Sequence, residues 1–154
     1  MNIFYLDQDY KLAAQYHNDR HCVKMILETC QLLCTACHVH GVVDDKLYKQ
    51  THLNHPSAIW VRDTQGNYKW AIGLLRSLLD EYTTRYNKSH KCEAMYDVVI
   101  KYVDKIPKGI FYRPPKCMPD DCKSLDVVES YRKYYMTHKR HIASWKTQQP
   151  YWFK

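Results

Sequence analysis

Apolar residues recur at helical spacing along most of this chain, and the breaks in that pattern coincide with polar or proline-bearing stretches. An apolar opening, residues 2–6 (NIFYL), runs into an acidic turn at Asp7 to Asp9. From Tyr10 to His40 no glycine or proline intervenes, and Gly41 follows, which predicts one long first helix with a glycine stop. Residues 42–55 read as a polar connection, and His55-Pro56 opens a short apolar turn, SAIWV. Thr64 can cap a helix through Asn87, with Trp70, Leu74, Leu75, Leu78 and Tyr82 at helical intervals. Ser89 can cap another that reaches Val103 before Pro107. The stretch 108–124 holds Pro114, Pro115 and Pro119 and reads as loop, and Asp126 can cap a last helix through Trp145. With 4 glycines in 154 residues there are few turn signals for a sandwich or barrel. The expectation is all-α: a single compact bundle of about five helices over residues 1–154, built around a long central first helix.

Placed at 100° per residue, the first helix separates two faces. Val23, Ile26, Cys30, Leu33, Cys34 and Cys37 share an apolar side. His17, His21, Lys24 and Glu28 lie within about 60° of one another on the other, with Gln31 and Thr35 continuing the stripe. Such a stripe is either a solvated face or an acid, base and cation within one reach. Asp19 falls by angle among the apolar set, beside Cys22, Val23 and Ile26. A carboxylate there must find donors, or the helix begins later than Tyr10. The inward-facing reading makes Asp19 a candidate acid or base. The interval from His17 to His21 also suits a zinc pair with His55 or Glu28 as third ligand, but the residues between are Asn18, Asp19 and Arg20, without the glutamate of a helical metalloprotease motif. Cys30, Cys34 and Cys37 lie on the apolar face and read as core. Cys117 and Cys122 sit in the proline-bearing loop and could bind a metal together with a histidine.

Charge changes the picture. Lys and Arg number 23 against 16 acids, a net +7 that favours polyanionic partners. The last 25 residues interleave Arg132, Lys133, Lys139, Arg140 and Lys146 with Tyr131, Tyr134, Tyr135, Trp145, Tyr151 and Trp152. Cations beside flat rings suit phosphate contact and base stacking. The expected phosphate or nucleic-acid contacts are His17, Arg20, His21, Lys24, His55, Arg62, Arg132, Lys139 and Arg140. The opening lacks a signal-like apolar run and no stretch reads as a membrane span, so the expected setting is cytoplasmic, with reduced thiols and no membrane partner.

Three patches carry a resemblance. Leu12-Ala13-Ala14-Gln15-Tyr16 lies near the start, and His55-Pro56-Ser57-Ala58-Ile59-Trp60 in the middle, followed by Leu74, Leu78, Glu81 and Arg85. The chain ends on Trp145 and Pro150-Tyr151-Trp152-Phe153-Lys154. Together they resemble the pyrimidine-dimer DNA glycosylases of the phage endonuclease V family, and the chain is similar in character to small phage or large-virus proteins, which implies a virus-encoded product in an infected cell. The resemblance implies an all-helical fold with the N-terminus beside the first helix. It also implies attack on the sugar C1′ by an N-terminal amine, an imine intermediate, loss of the base and β-elimination, with an acidic residue assisting. Family members expose a small residue after methionine removal, whereas Asn2 is too large for efficient removal, so the implied nucleophile is the Met1 amine. The family's glutamate–arginine pair has no clean match in register. Asp19 with Arg20 is the substitute, and Glu28 is the further acidic candidate. No cofactor is implied. Two other readings stand beside this one: a non-catalytic viral protein, a homo-oligomer that sequesters a phosphorylated nucleotide signal, and a metal-dependent enzyme using His17 and His21.

Overall fold

The computed structural model describes residues 1–154. Six α-helices follow in order: α1 Tyr10–Tyr16, α2 Asp19–Val39, α3 Pro56–Asp63, α4 Gln65–Tyr86, α5 Glu93–Val99 and α6 Val127–His138, and there is no strand. Single 3-10 segments continue α5 (Ile100–Lys105), punctuate the proline-bearing loop (Asp120–Cys122) and follow α6 (Arg140–Ile142). The all-α expectation holds.

Local chemistry explains most of the helix starts. Thr64 accepts from Asn67 N at 3.1 Å to open α4, and Asp126 accepts from Glu129 N at 2.9 Å to open α6. At α3 the His55 imidazole takes that role for Ser57 N at 3.0 Å and Pro56 occupies the first turn, so the expected apolar turn is a helix. Asn87, at φ 54, closes α4 in the left-handed region. Two boundaries differ from expectation. α5 opens at Cys92 without a side-chain cap rather than at Ser89, and α6 stops at His138 rather than Trp145.

The larger correction concerns the first helix, which is two helices. His17 and Asn18 adopt extended backbone (ψ 130 and 165), and Asn18 caps α2 by accepting from His21 N at 2.9 Å. A break exposes carbonyls that a continuous helix would have satisfied. Here side chains from distant elements take them. Arg85 of α4 donates to Gln15 O (3.0 Å) and His17 O (2.8 Å), and the Trp145 indole donates to Tyr16 O (3.0 Å). The kink therefore rests on an arginine 68 positions downstream of His17.

α2 packs on α3 and α4, and α1 lies along α4. α2 is long and apolar enough to cross a membrane by length and composition, which the expectation of no span-like stretch missed, but 61% of that window is buried inside the fold. Cys30, Cys34 and Cys37 are core residues as expected, whereas Val23 is 37% exposed. The N-terminal segment occupies the centre. Ile3, Phe4, Tyr5 and Leu6 are each no more than 4% exposed, and burying side chains of this size contributes about 1.5–3 kcal/mol apiece. Asn2 Nδ2 donates to Cys117 O at 2.9 Å and Phe4 stacks on His21 at 4.3 Å, so the start of the chain is held inside the bundle.

Candidate active site

That threading brings the α-amine of Met1 to α2, where it meets Glu28 Oε1 at 3.1 Å. The Met1 side chain is 4% exposed and that of Glu28 15%, so the pair sits at the edge of the interior. Lys24, one turn earlier on α2, reaches the other carboxylate oxygen at 3.8 Å from open solvent. A partly desolvated amine–carboxylate pair couples a nucleophile to a proton acceptor. The same pair opens onto two clefts. One, of about 160 Å³, is lined by Met1, Phe4, His21, Glu28, Tyr134 and Lys139. The other, of about 340 Å³, runs past Lys24, Glu28 and Gln31 to His52 and His90. Two further clefts lie along α1 and α4 and share Gln15, Glu81 and Thr84, but hold no comparable nucleophile–base pair.

His21 and His55 near this pair, and His17 in the interior behind His21, are shifted by burial toward the neutral form. His21 donates or accepts at Tyr135 Oη (2.6 Å), and burial, with the charges of His17, Lys139 and Lys24, pushes its pKa down to about 3. His17 is fully buried, its Nδ1 2.6 Å from Ala13 O, and desolvation pushes it down to about 4. His55 is lowered by desolvation first and then by the N-terminal ammonium, with Glu28 opposing, which places it in the field of the same pair. At neutral pH any contact of these three with a phosphate would be through a neutral N–H donor rather than a cation.

Asp19 lies elsewhere. It is the first residue of α2, with Oδ1 accepting from Arg85 Nη1 (3.1 Å) and Lys146 N (3.0 Å) and Oδ2 from Ser144 Oγ (3.1 Å). Arg85 itself is wholly buried and also grips Glu81 at 2.9 Å. Asp19 is a clip that fastens the C-terminal segment to the kink. It does not point into an apolar interior, because the helix that would have aimed it there begins at Asp19 itself. Arg20 is exposed beside it.

Of the sequence-derived candidates, Met1, Glu28, Lys24, His21, His55 and Lys139 converge here. The others are spread out. Arg62 donates to Leu53 O at 2.6 Å. Arg132 is wedged among Tyr16, Tyr151 and Trp152, donating to Leu6 O (2.9 Å) and Asp7 (3.0 Å). Arg140 lies over Phe153 and is bonded to Met136 O and Lys154 O. The kink removes the one-helix spacing behind the His17–His21 metal pair: His17 lies in the extended link after α1, with Nδ1 at Ala13 O, and His21 lies on α2, with Nδ1 at Tyr135 Oη. Sequence reasoning missed Arg85 as a buried tie and Tyr134, His52 and His90 as cleft walls. Arg85 carried a signal, since it continues the Leu74, Leu78, Glu81 stripe that α4 buries.

A family model described as pyrimidine dimer DNA glycosylase matches residues 1–94, three fifths of the chain and the part that holds Met1, Glu28 and Arg85. The chain belongs to the pyrimidine dimer DNA glycosylase family. No curated protein and no solved structure matches it. Membership carries, at the level of the family, glycosylase-type repair chemistry on a DNA substrate. The matched region ends in α5, so Tyr134 and Lys139 of the smaller cleft come from outside it.

Proposed function

We propose that this chain is a DNA glycosylase for damaged pyrimidines with a coupled lyase step, in which the Met1 amine is the nucleophile and Glu28 the acid–base group. The observation that carries this reading is the 3.1 Å pairing of the amine with the Glu28 carboxylate where two clefts meet. Glu28 takes a proton from the ammonium and frees the lone pair. The amine nitrogen then bonds to the sugar C1′ as the C1′–base bond breaks, the base leaving with the electron pair and gaining a proton. Loss of the remaining amine proton and opening of the C1′–O4′ bond, with a proton delivered to O4′, give the imine. Removal of a C2′ proton then expels the 3′ phosphate by β-elimination, and water releases the enzyme from the imine.

The surroundings support the assignment. Lys24 and Lys139 are the cations at the cleft mouths, suited to phosphates flanking an extruded nucleotide. His21, His55 and the Phe4 ring leave the amine side of the pair partly dry, where an ion pair is tighter than in water. The reading requires an unblocked Met1 as the mature first residue, which an intact mass measures. The test is a duplex carrying one cyclobutane thymine dimer. The expected outcome is scission of one glycosidic bond of the dimer and strand cleavage there by wild-type protein, the freed thymine staying tethered to its partner through the cyclobutane ring. Strand and glycosidic bonds left intact under conditions where the protein binds that duplex would refute the proposal.

A further inference from the structure

The proline-bearing loop and the end of α6 bring together three side chains of metal-binding type, far from the reacting pair in sequence. His138 Nε2 faces the Asp121 carboxylate at 2.9 and 3.2 Å, and the donor atoms of Asp121, Cys122 and His138 all lie within 4.8 Å of one another. The Cys122 thiol is buried beneath them, with Thr137 Oγ1 at 3.5 Å as its hydrogen-bond partner, while Asp121 and His138 are exposed. Thr137 spends its own proton on Lys133 O at 2.8 Å, so the thiol is the donor in that contact. Lys123 is engaged by Asp120 at 2.9 Å, which leaves the Asp121 carboxylate to His138.

We infer that Asp121, Cys122 and His138 form a binding site for a divalent zinc-class cation. One sulfur, one imidazole nitrogen and one carboxylate oxygen are the ligand types that zinc takes, and a fourth, outward position remains for water. Tetrahedral zinc needs these donors about 3.3–3.6 Å apart, given metal–ligand distances of about 2.0–2.3 Å. The two exposed side chains close that gap by changing rotamer, over a sulfur that the fold already holds in place. Binding displaces the Cys122 thiol proton to solvent, so thiolate and carboxylate together neutralise the cation. The metal would staple the loop to α6. The same loop supplies Cys117 O, which holds Asn2, so the staple would also steady the chain next to Met1.

Cobalt is the probe. Adding Co²⁺ to reduced protein is expected to give one equivalent of binding and a thiolate-to-cobalt charge-transfer band that Zn²⁺ abolishes by competition. Cys122→Ala should lose the band and Cys117→Ala should keep it. Because Cys122 is buried, His138→Ala is the second variant: it alters an exposed side chain and is expected to weaken cobalt binding at least tenfold, on the order of a lost ligand contact. Zinc at about a hundredfold excess over its Kd should raise the melting temperature of wild type by roughly 5–10 °C and that of His138→Ala by about half as much or less. Absence of the band, or a band that survives Cys122→Ala or full-strength binding by His138→Ala, would overturn the site.

Discussion

The two acids of α2, Asp19 and Glu28, are nine residues apart, which at 100° per residue puts them about half a turn apart on opposite sides of one helix. Both are partly buried and both meet a positive charge. Their partners separate them. Each oxygen of Asp19 is occupied by a donor fixed in the scaffold, with the Arg85 guanidinium and the Lys146 amide on one and the Ser144 hydroxyl on the other. Glu28 faces a primary amine and an exposed lysine, with clefts on two sides. A carboxylate saturated by fixed donors builds structure, whereas one shared with a nucleophile beside open space can exchange a proton. Burial alone does not distinguish them.

The contrast predicts opposite responses to matched substitutions. Glu28→Gln should slow base release by about 10²–10⁴-fold in single-turnover assays while leaving the urea midpoint close to wild type, because the amide still accepts from the amine but takes no proton from it. Removing Arg85 should do the reverse. Arg85→Met strands two carboxylates and two carbonyls, and is expected to cost about 3–5 kcal/mol in chemical denaturation. Asp19→Asn keeps part of that network and should cost about 1–3 kcal/mol, with turnover per folded molecule within a factor of a few of wild type. A loss of activity in Asp19→Asn as deep as in Glu28→Gln would erase the distinction.

Acid should probe the scaffold before the site. His17 and His21 titrate at about 4 and about 3 in the folded protein against 6.5 in an unfolded chain. The unfolded state binds more protons between those values, so stability is complete above about pH 6.5 and falls as the pH drops toward 4, by up to about 1.4 kcal/mol per pH unit for each group. Urea midpoints between pH 7 and pH 5 measure this, and His21→Gln should flatten the slope. Lys24→Ala is the mildest change. Its side chain is 72% exposed, so stability should move by less than about 1 kcal/mol, while DNA affinity drops a few-fold and the salt slope shrinks by about one.

Helix existence and most caps were legible in the sequence because Thr64, Asp126, Asn87 and Pro56 act through their immediate neighbours. The kink at His17 and Asn18 was legible only in part: Asn18 is a capping residue and the angle of Asp19 already allowed a later helix start, but no glycine or proline marks the break and the group that stabilises it arrives from α4. That single break explains the misplacement of Asp19 and the loss of the His17–His21 pair, since both came from extrapolating one helical wheel across two helices. From His21 onward the wheel put His21, Lys24 and Glu28 on one side as found, although Val23 of its apolar face is exposed and Thr35 of its polar stripe is buried. What no wheel could supply was Met1. Its position follows from Ile3 to Leu6 being buried as an irregular segment, a tertiary fact that the pattern of NIFYL allows but does not specify.

The central claim is that the Met1 amine forms a covalent imine with the sugar. Borohydride added during reaction with dimer-containing DNA, followed by proteolysis and peptide mass mapping, reads this atom by atom. The account predicts a reduced sugar adduct on the N-terminal peptide, at the α-nitrogen of Met1, formed far more slowly by Glu28→Gln. An adduct on Lys24 or another side chain, or damaged DNA cleaved with no trappable adduct, would contradict it.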